Sequence, residues 1–281
     1  MPQPTKFRER LTGKVALVAG GGSSDARFGI GKAIAFSFAG EGAKVCVVDR
    51  DADAAERTRA VIEELGGDAI VSHGDITVDA DCARMVAATI ERYGALDILV
   101  NNVGVHVGAG GSSLGSLAMS DWDRVLDVNL RGVVLLTRHA VPHLIAARQS
   151  AIVNIGSISG FLASGCLAYG PSKAALISLT RELALLYGRR GVRANVICPG
   201  HLYTPFVESA IDERMRDWRR RIAPLGIEGD VWDVASAAVF LASSESRFLT
   251  SVCLPVDGGA TEIMPMAGLG LLEGWYDGKQ G

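Results

Sequence analysis

The sequence has no apolar run near the ~18 consecutive residues that a membrane-crossing helix needs. Its first ten residues, Met1 to Arg10, are polar and lack the apolar centre of a secretory signal, so a cytoplasmic setting is expected. Nor is there a surplus of basic charge. The 28 Lys and Arg stand against 31 Asp and Glu, for a net charge of −3, which removes the electrostatic footprint of a nucleic-acid binder. Cysteine is scarce: five residues, at 46, 82, 166, 198 and 253, with no paired motif, which argues against a disulfide framework. Cys46, Cys198 and Cys253 lie inside apolar runs, where a thiol behaves as a small core residue. The five histidines share no ligand spacing, so no metal is expected. No linker and no repeat of solenoid period interrupts the chain, so a single domain over 1–281 is expected.

What is present is an alternation of short apolar runs and helical patterns. Apolar runs at 14–19, 43–49, 69–73, 96–100, 151–155, 192–198 and 252–256 read as buried strands. Helical spacing fills the gaps, at 29–36, 52–65, 78–93, 120–147, 169–187 and 231–242, and again over 206–223. Strand and helix in turn predict an α/β, doubly wound Rossmann-type fold: one seven-stranded parallel sheet with helices on both faces. The last stretch, 260–281, is irregular yet apolar (Ile263, Met264, Leu269, Leu271, Leu272, Trp275), which predicts that it packs on something.

In such a sheet ligands bind beyond the carboxyl ends of the strands. Gly20, Gly21 and Gly22 follow the first strand, and Gly29-Ile30-Gly31 opens the next helix. Glycines there let the backbone approach a pyrophosphate, while the helix N-terminus offers free N–H groups and partial positive charge. Asp49 ends the second strand, 18 residues beyond Gly31. An acid at that point accepts hydrogen bonds from ribose hydroxyls and repels a 2′-phosphate, which favours NAD over NADP. Asp75, with Ile76, follows the third strand and is placed to meet the adenine, and Arg27 is placed to reach either the phosphates or a 2′-phosphate, the latter a feature of NADP. Tyr169 and Lys173, four residues apart, open a helix and share one of its faces. A nearby ammonium favours the phenolate, so such a tyrosine can exchange a proton near neutral pH. By itself the pair is an ordinary surface feature; its position in the chain gives it weight.

Together these motifs resemble the short-chain dehydrogenase/reductase family. The likeness rests on the glycine loop, Asn101-Asn102-Val103-Gly104 after strand four, Asn129 in the following helix, and Ser157 after strand five. Tyr169 with Lys173, Pro199-Gly200 with Thr204, and Val256-Asp257-Gly258-Gly259 complete it. The match covers about residues 11–259, and the joint order is specific where each motif alone is not. It implies a catalytic tetrad of Asn129, Ser157, Tyr169 and Lys173. Tyr169 would be the general acid/base, Lys173 would lower its pKa and hold the nicotinamide ribose, and Ser157 would orient the substrate oxygen. Asn129 would hold a water beside Lys173. Cofactor contacts would come from Gly20, Gly22, Arg27, Gly29, Ile30, Asp49, Asp75, Ile76, Asn102, Gly104, Tyr169, Lys173, Pro199, Gly200, Leu202 and Thr204, the last two at the carboxamide. A homotetramer built on the helices at 120–147 and 169–187 is also implied.

The chain departs from the family pattern in its glycine loop: eight residues, not three, separate Gly20 from Gly29. The insertion must bulge outward or re-route over the cofactor. Its length is similar to that in related enoyl-thioester reductases, but those have a wider Tyr–Lys spacing, which favours the ketone/alcohol reading here. The substrate pocket is expected from the loops at 105–115 and 159–167, with 205–223 as a lid, and from Val105, Val107, Phe161, Leu162, Leu202 and Phe206. These are apolar, so a hydrophobic secondary alcohol or ketone is expected. His106 and His201 border the site. Cys166, three residues before Tyr169, has no histidine beside it in sequence to make it a nucleophile. The alternatives are an NADPH-dependent 3-oxoacyl-thioester reductase and a non-catalytic dinucleotide-binding regulator.

Overall fold

Seven parallel strands form one sheet in the order β3-β2-β1-β4-β5-β6-β7. The computed structural model describes residues 7–23, 27–106, 113–204, 207 and 211–276. The strands are β1 (Val15–Ala19), β2 (Lys44–Asp49), β3 (Ala69–His73), β4 (Ile98–Asn101), β5 (Ser150–Ile155), β6 (Val192–Pro199) and β7 (Cys253–Val256). The helices are α1 (Ile30–Gly40), α2 (Ala52–Glu64), α3 (Asp79–Tyr93), α4 (Met119–Leu126), α5 (Gly132–Ala146), α6 (Tyr169–Tyr187), α7 (Glu213–Arg221), α8 (Val231–Ala242) and α9 (Pro265–Leu272).

β1, β4, β5 and β6 are buried runs because both sheet faces are covered, so an alternating polar pattern would leave side chains without water. Ala16 and Val18 face one core with α1 and α8, including Ile34, Phe38, Val234 and Ala238. Leu17 and Ala19 face the other, with Met85, Leu136, Leu144 and Leu183 from α3, α5 and α6. Helix starts follow local chemistry. Asp51 accepts a hydrogen bond from the Ala54 N–H at 3.0 Å, and Asp230 with Asp233 forms a reciprocal capping box at the start of α8.

The helix expected over 120–147 is interrupted. Between α4 and α5, residues Asp127–Arg131 form a π-helical turn. A widened turn adds one residue and rotates the helix beyond it, here bringing Asn129 to complete burial. Hydrogen-bonding periodicity of this kind is invisible in a hydrophobic pattern, which stays helical on both sides.

Candidate active site

The chain runs outward through β1, β2 and β3, then returns to place β4 beside β1. Ala19 is paired with Asn101, so the loops after both strands start side by side and a crevice opens at this point of reversal. Gly20 takes φ +71°, which suits glycine, and its N–H donates to the Val48 carbonyl at 2.8 Å. A Cβ on Gly31 would overlap the Gly20 carbonyl oxygen and lie 2.5 Å from Asn102 Nδ2. Asn102 Nδ2 in turn donates to that same carbonyl at 2.8 Å. Strand end, helix start and Asn102 are thus pressed together. Among the described residues, a Cβ on Gly29 would meet nothing within 4 Å and no side chain caps α1. The first N–H groups of the helix therefore open onto a shallow cradle, which fits a pyrophosphate.

The ends of the long glycine loop are pinned. Ser23 Oγ donates to the Arg27 carbonyl at 2.7 Å, and the Ser23 carbonyl accepts from Arg57 Nε at 3.1 Å. The Phe28 ring packs 5.6 Å from that of Phe36 and 4.8 Å from that of Trp232. The path expected over the cofactor lies at 24–26, outside the described residues. Asp49 is oriented by two backbone groups: the Gly22 N–H donates to Oδ2 at 2.9 Å and the Asp51 N–H to Oδ1 at 3.1 Å. Asp75 Oδ1 accepts from the Thr77 N–H and hydroxyl at 2.9 and 2.8 Å. Partial burial pulls its pKa upward, but those bonds and the Arg50 charge outweigh it and hold the carboxyl below its ordinary range. The Ile76 side chain is buried in the core and would touch a Cβ on Gly132 at 2.7 Å, so only its backbone faces the strand end.

β5 ends at Ile155, and Ser157 follows in extended backbone with its Oγ accepting from the Ser159 N–H at 3.1 Å. Tyr169 is the first residue of α6. Lys173, one turn later, is 3% exposed, and its Nζ donates to the Ile155 carbonyl at 2.9 Å. Burial lowers its pKa to about 8, with a small opposing effect from Cys198. The Nζ lies 5.6 Å from the centre of the Tyr169 ring. Tyr169 is raised above its ordinary value: burial pushes it up, a hydrogen bond with Ser157 pulls it back, and Cys166 and Cys198 add to the rise. Burial is the largest of these effects, and the Lys173 ammonium, which keeps two N–H donors beyond the one on Ile155, lies against the Tyr169 ring.

Asn129 is held from two sides. Its Nδ2 donates to the Val105 carbonyl and to Ser172 Oγ, both at 3.0 Å, while its Oδ1 accepts from the Val105 N–H at 2.8 Å. Asn129 thus braces the strand-four loop, and its Oδ1 keeps a second lone pair for another donor. Gly104 sits between them: a Cβ there would lie 3.3 Å from Lys173 Nζ and 3.6 Å from Asn129 Oδ1. Ser172, to which no motif pointed, donates to the Tyr169 carbonyl at 2.7 Å and joins Asn129 to α6. A serine three residues into a helix was the available signal, but serines there commonly cap their own turn.

After β6, Pro199 is buried, and Gly200 abuts Asp257 so closely that a Cβ would overlap it. Leu202 is core: its side chain fills the space that a Cβ on Gly229 would enter, and its N–H donates to the Gly200 carbonyl at 2.9 Å. That removes its side chain from the pocket lining. Thr204 is buried beside it, and its carbonyl accepts from the Val207 N–H. Phe161 and Leu162 are exposed and Val105 is half-buried. Val107 and Phe206 lie outside the described residues. His106 reaches the site, with its ring 5.4 Å from Tyr169 and Nε2 3.3 Å from Cys166 Sγ, a pairing that sequence separation concealed. Of the expected lid, α7 is described, tied down by Arg216 to both Glu228 oxygens at 2.6 Å.

Comparison with known proteins agrees with this geometry. A family model described as enoyl-(acyl carrier protein) reductase matches residues 26–261. The chain is 37% identical over 271 residues to (+)-borneol dehydrogenase 2 of Salvia officinalis, covering 92% of this chain and 93% of that one. It is 37% identical over 251 residues to 2,5-dichloro-2,5-cyclohexadiene-1,4-diol dehydrogenase of Sphingobium indicum, covering 89% and 97%. A crystal structure from Burkholderia xenovorans, assigned to the short-chain dehydrogenase/reductases, superposes with a TM-score of 0.84 at 38% identity, covering 91% of this chain and 99% of that one.

Proposed function

Because the chain belongs to the short-chain dehydrogenase/reductase family and is an oxidoreductase of secondary alcohols and ketones, we propose that it transfers a hydride between NAD(H) and a hydrophobic secondary alcohol or ketone, with Tyr169 as general acid/base. The observation that carries the proposal is the convergence of Ser157, Tyr169 and buried Lys173 at the carboxyl edge of the sheet, beside the Gly20–Gly31 cradle. One relative is named for borneol and the other for a chlorinated cyclohexadienediol, which supports a cyclic, hydrophobic substrate.

Gly20, Gly22, Arg27, Gly29 and Ile30 would hold the pyrophosphate, and Asp49 the adenosine ribose. Asp75 and the Ile76 backbone would border the adenine, and Asn102 and Gly104 the middle of the dinucleotide. Pro199, Gly200, Leu202 and Thr204 would border the nicotinamide. When bound, NAD supplies the hydride acceptor or donor. The Asp49 charge, fixed by the Gly22 and Asp51 N–H groups, supports NAD over a cofactor carrying a 2′-phosphate. Ser157 hydrogen-bonds the substrate oxygen, and Tyr169 takes its proton during oxidation and returns it during reduction. Lys173, anchored by Ile155, stands one turn behind Tyr169, and Asn129 fixes the loop that closes over both. The same proposal includes one catalytic domain over the whole chain, a cytoplasmic setting and four-chain assembly. Exposed Leu185 and Leu186 on α6, with the apolar groove between α5 and α6, support the assembly. Among the described residues no helix is long and apolar enough to cross a membrane.

The test is turnover of a panel of cyclic secondary alcohols followed by NADH absorbance. Turnover with NAD⁺ should exceed that with NADP⁺, and Tyr169→Phe should lower kcat about 10²–10⁴-fold while NADH still binds. Unchanged turnover in the variant would remove Tyr169 from the mechanism.

A further inference from the structure

Two cysteines that sequence placed 55 residues apart meet behind the active site. Cys198 on β6 and Cys253 on β7 point to the same face of the sheet, and their sulfurs are 3.4 Å apart. Val196, two residues before Cys198, is the register partner of Cys253, so the thiols meet on a diagonal. Cys198 is fully buried, whereas Cys253 is partly exposed on the edge strand, which is paired on one side only. From this juxtaposition we propose that Cys198 and Cys253 form a dithiol modification site, closed to a disulfide by hydroperoxides, which lowers the activity of the neighbouring catalytic residues.

The asymmetry of the pair assigns the roles. The contact with Cys198 lowers the Cys253 thiol to about 7; burial opposes this and Arg181 assists. Cys198 is pushed well above the ordinary thiol range by that contact and by burial. Cys253 is thus the exposed thiolate, and Cys198 the resolving thiol. In the first step the Cys253 sulfur attacks one peroxide oxygen, the O–O bond breaks and hydroxide leaves, which takes up a proton to become water. In the second step the Cys198 sulfur attacks the sulfenic sulfur, the S–O bond breaks, and the Cys198 proton leaves with the oxygen as a second water. Two thiols are oxidised by two electrons and one peroxide is reduced. β7, free on its outer side, is the element able to shift as the sulfurs close.

The coupling to the active site is steric. A Cβ on Gly156 would stand 2.9 Å from Cys198 Sγ, so Cys198 already touches the peptide that leads into Ser157. The Ser157 backbone and Lys173 both act electrostatically on that sulfur, each favouring its thiolate. Drawing Cys198 toward Cys253 pulls this support away from Ser157.

Purified full-length protein, free of reductant, is treated with hydrogen peroxide. Intact mass and peptide mapping should then show a loss of about 2 Da and one Cys198–Cys253 linkage, reversed by dithiothreitol. This readout needs no substrate, so it stands apart from the alcohol-oxidation proposal. Turnover should fall with the same time course and return on reduction. Cys253→Ser and Cys253→Ala should keep basal turnover and resist peroxide by about tenfold. Absence of the linkage while Cys253 is oxidised to higher acids overturns the proposal. So does inactivation of both Cys253 variants at the wild-type rate.

Discussion

Tyr169 and Lys173 share a helical face because four residues make about one turn, and that relation was readable from spacing. Its electrostatic consequence was not. Lys173 loses water on burial and spends its Nζ on Ile155, while Tyr169 loses water as well, so both groups shift toward their neutral forms. The sign for activity comes from this shift. Oxidation needs the phenolate, and a phenol raised above its ordinary value supplies less of it at neutral pH. The kcat/KM for alcohol oxidation should therefore climb with pH from 7 to 10, by up to about tenfold per unit, while ketone reduction, which needs the phenol, holds level or falls. Initial rates in both directions across that range check this; an oxidation rate that falls above pH 7 would contradict it. Asn129 behaves in the same way: its type was conspicuous inside a helix, but its partners, Val105 and Ser172, come from two other segments.

At the scale of elements, the seven strands and their helices were legible because parallel strands buried on both faces read as short apolar runs. Strand boundaries moved by one or two residues, while α1 runs four residues past Phe36 and α7 begins only at Glu213. The π-turn at Asp127–Arg131 was not legible, since it keeps helical periodicity on both sides. The glycine loop was legible as a ligand site but not as a joint. Gly31 is needed as much for contact with the Gly20 carbonyl as for any cofactor. Gly31→Ala should destabilise the protein by about 1–3 kcal/mol through overpacking, and weaken NADH binding, because the strand end and helix start must separate. Urea unfolding with and without NADH measures both; wild-type values for each would show that the close approach is dispensable.

For the whole molecule, return of the chain to β4 beside β1 brings the glycine loop and residues 101–104 together at the carboxyl edge of the sheet. The apolar segment at the end proved to be a short helix, α9, packed against α7: Arg221 donates to the Leu272 carbonyl, and a Cβ on Gly268 would meet Ile222 at 3.4 Å. Met264, Trp275 and Tyr276 stay exposed. Deletion of 262–281 should raise KM for the alcohol several-fold by loosening α7, or shift the assembly in size-exclusion chromatography; if neither changes, the segment serves neither role. Sequence alone determined the α/β order and which residue types stand at the strand ends, because these depend on periodicity and on position in the chain. Only the tertiary structure decided which charges are desolvated, that Leu202 and Ile76 belong to the core, and that Cys198 meets Cys253. Burial and contact across distant segments are properties of the packed sheet, and local sequence does not carry them.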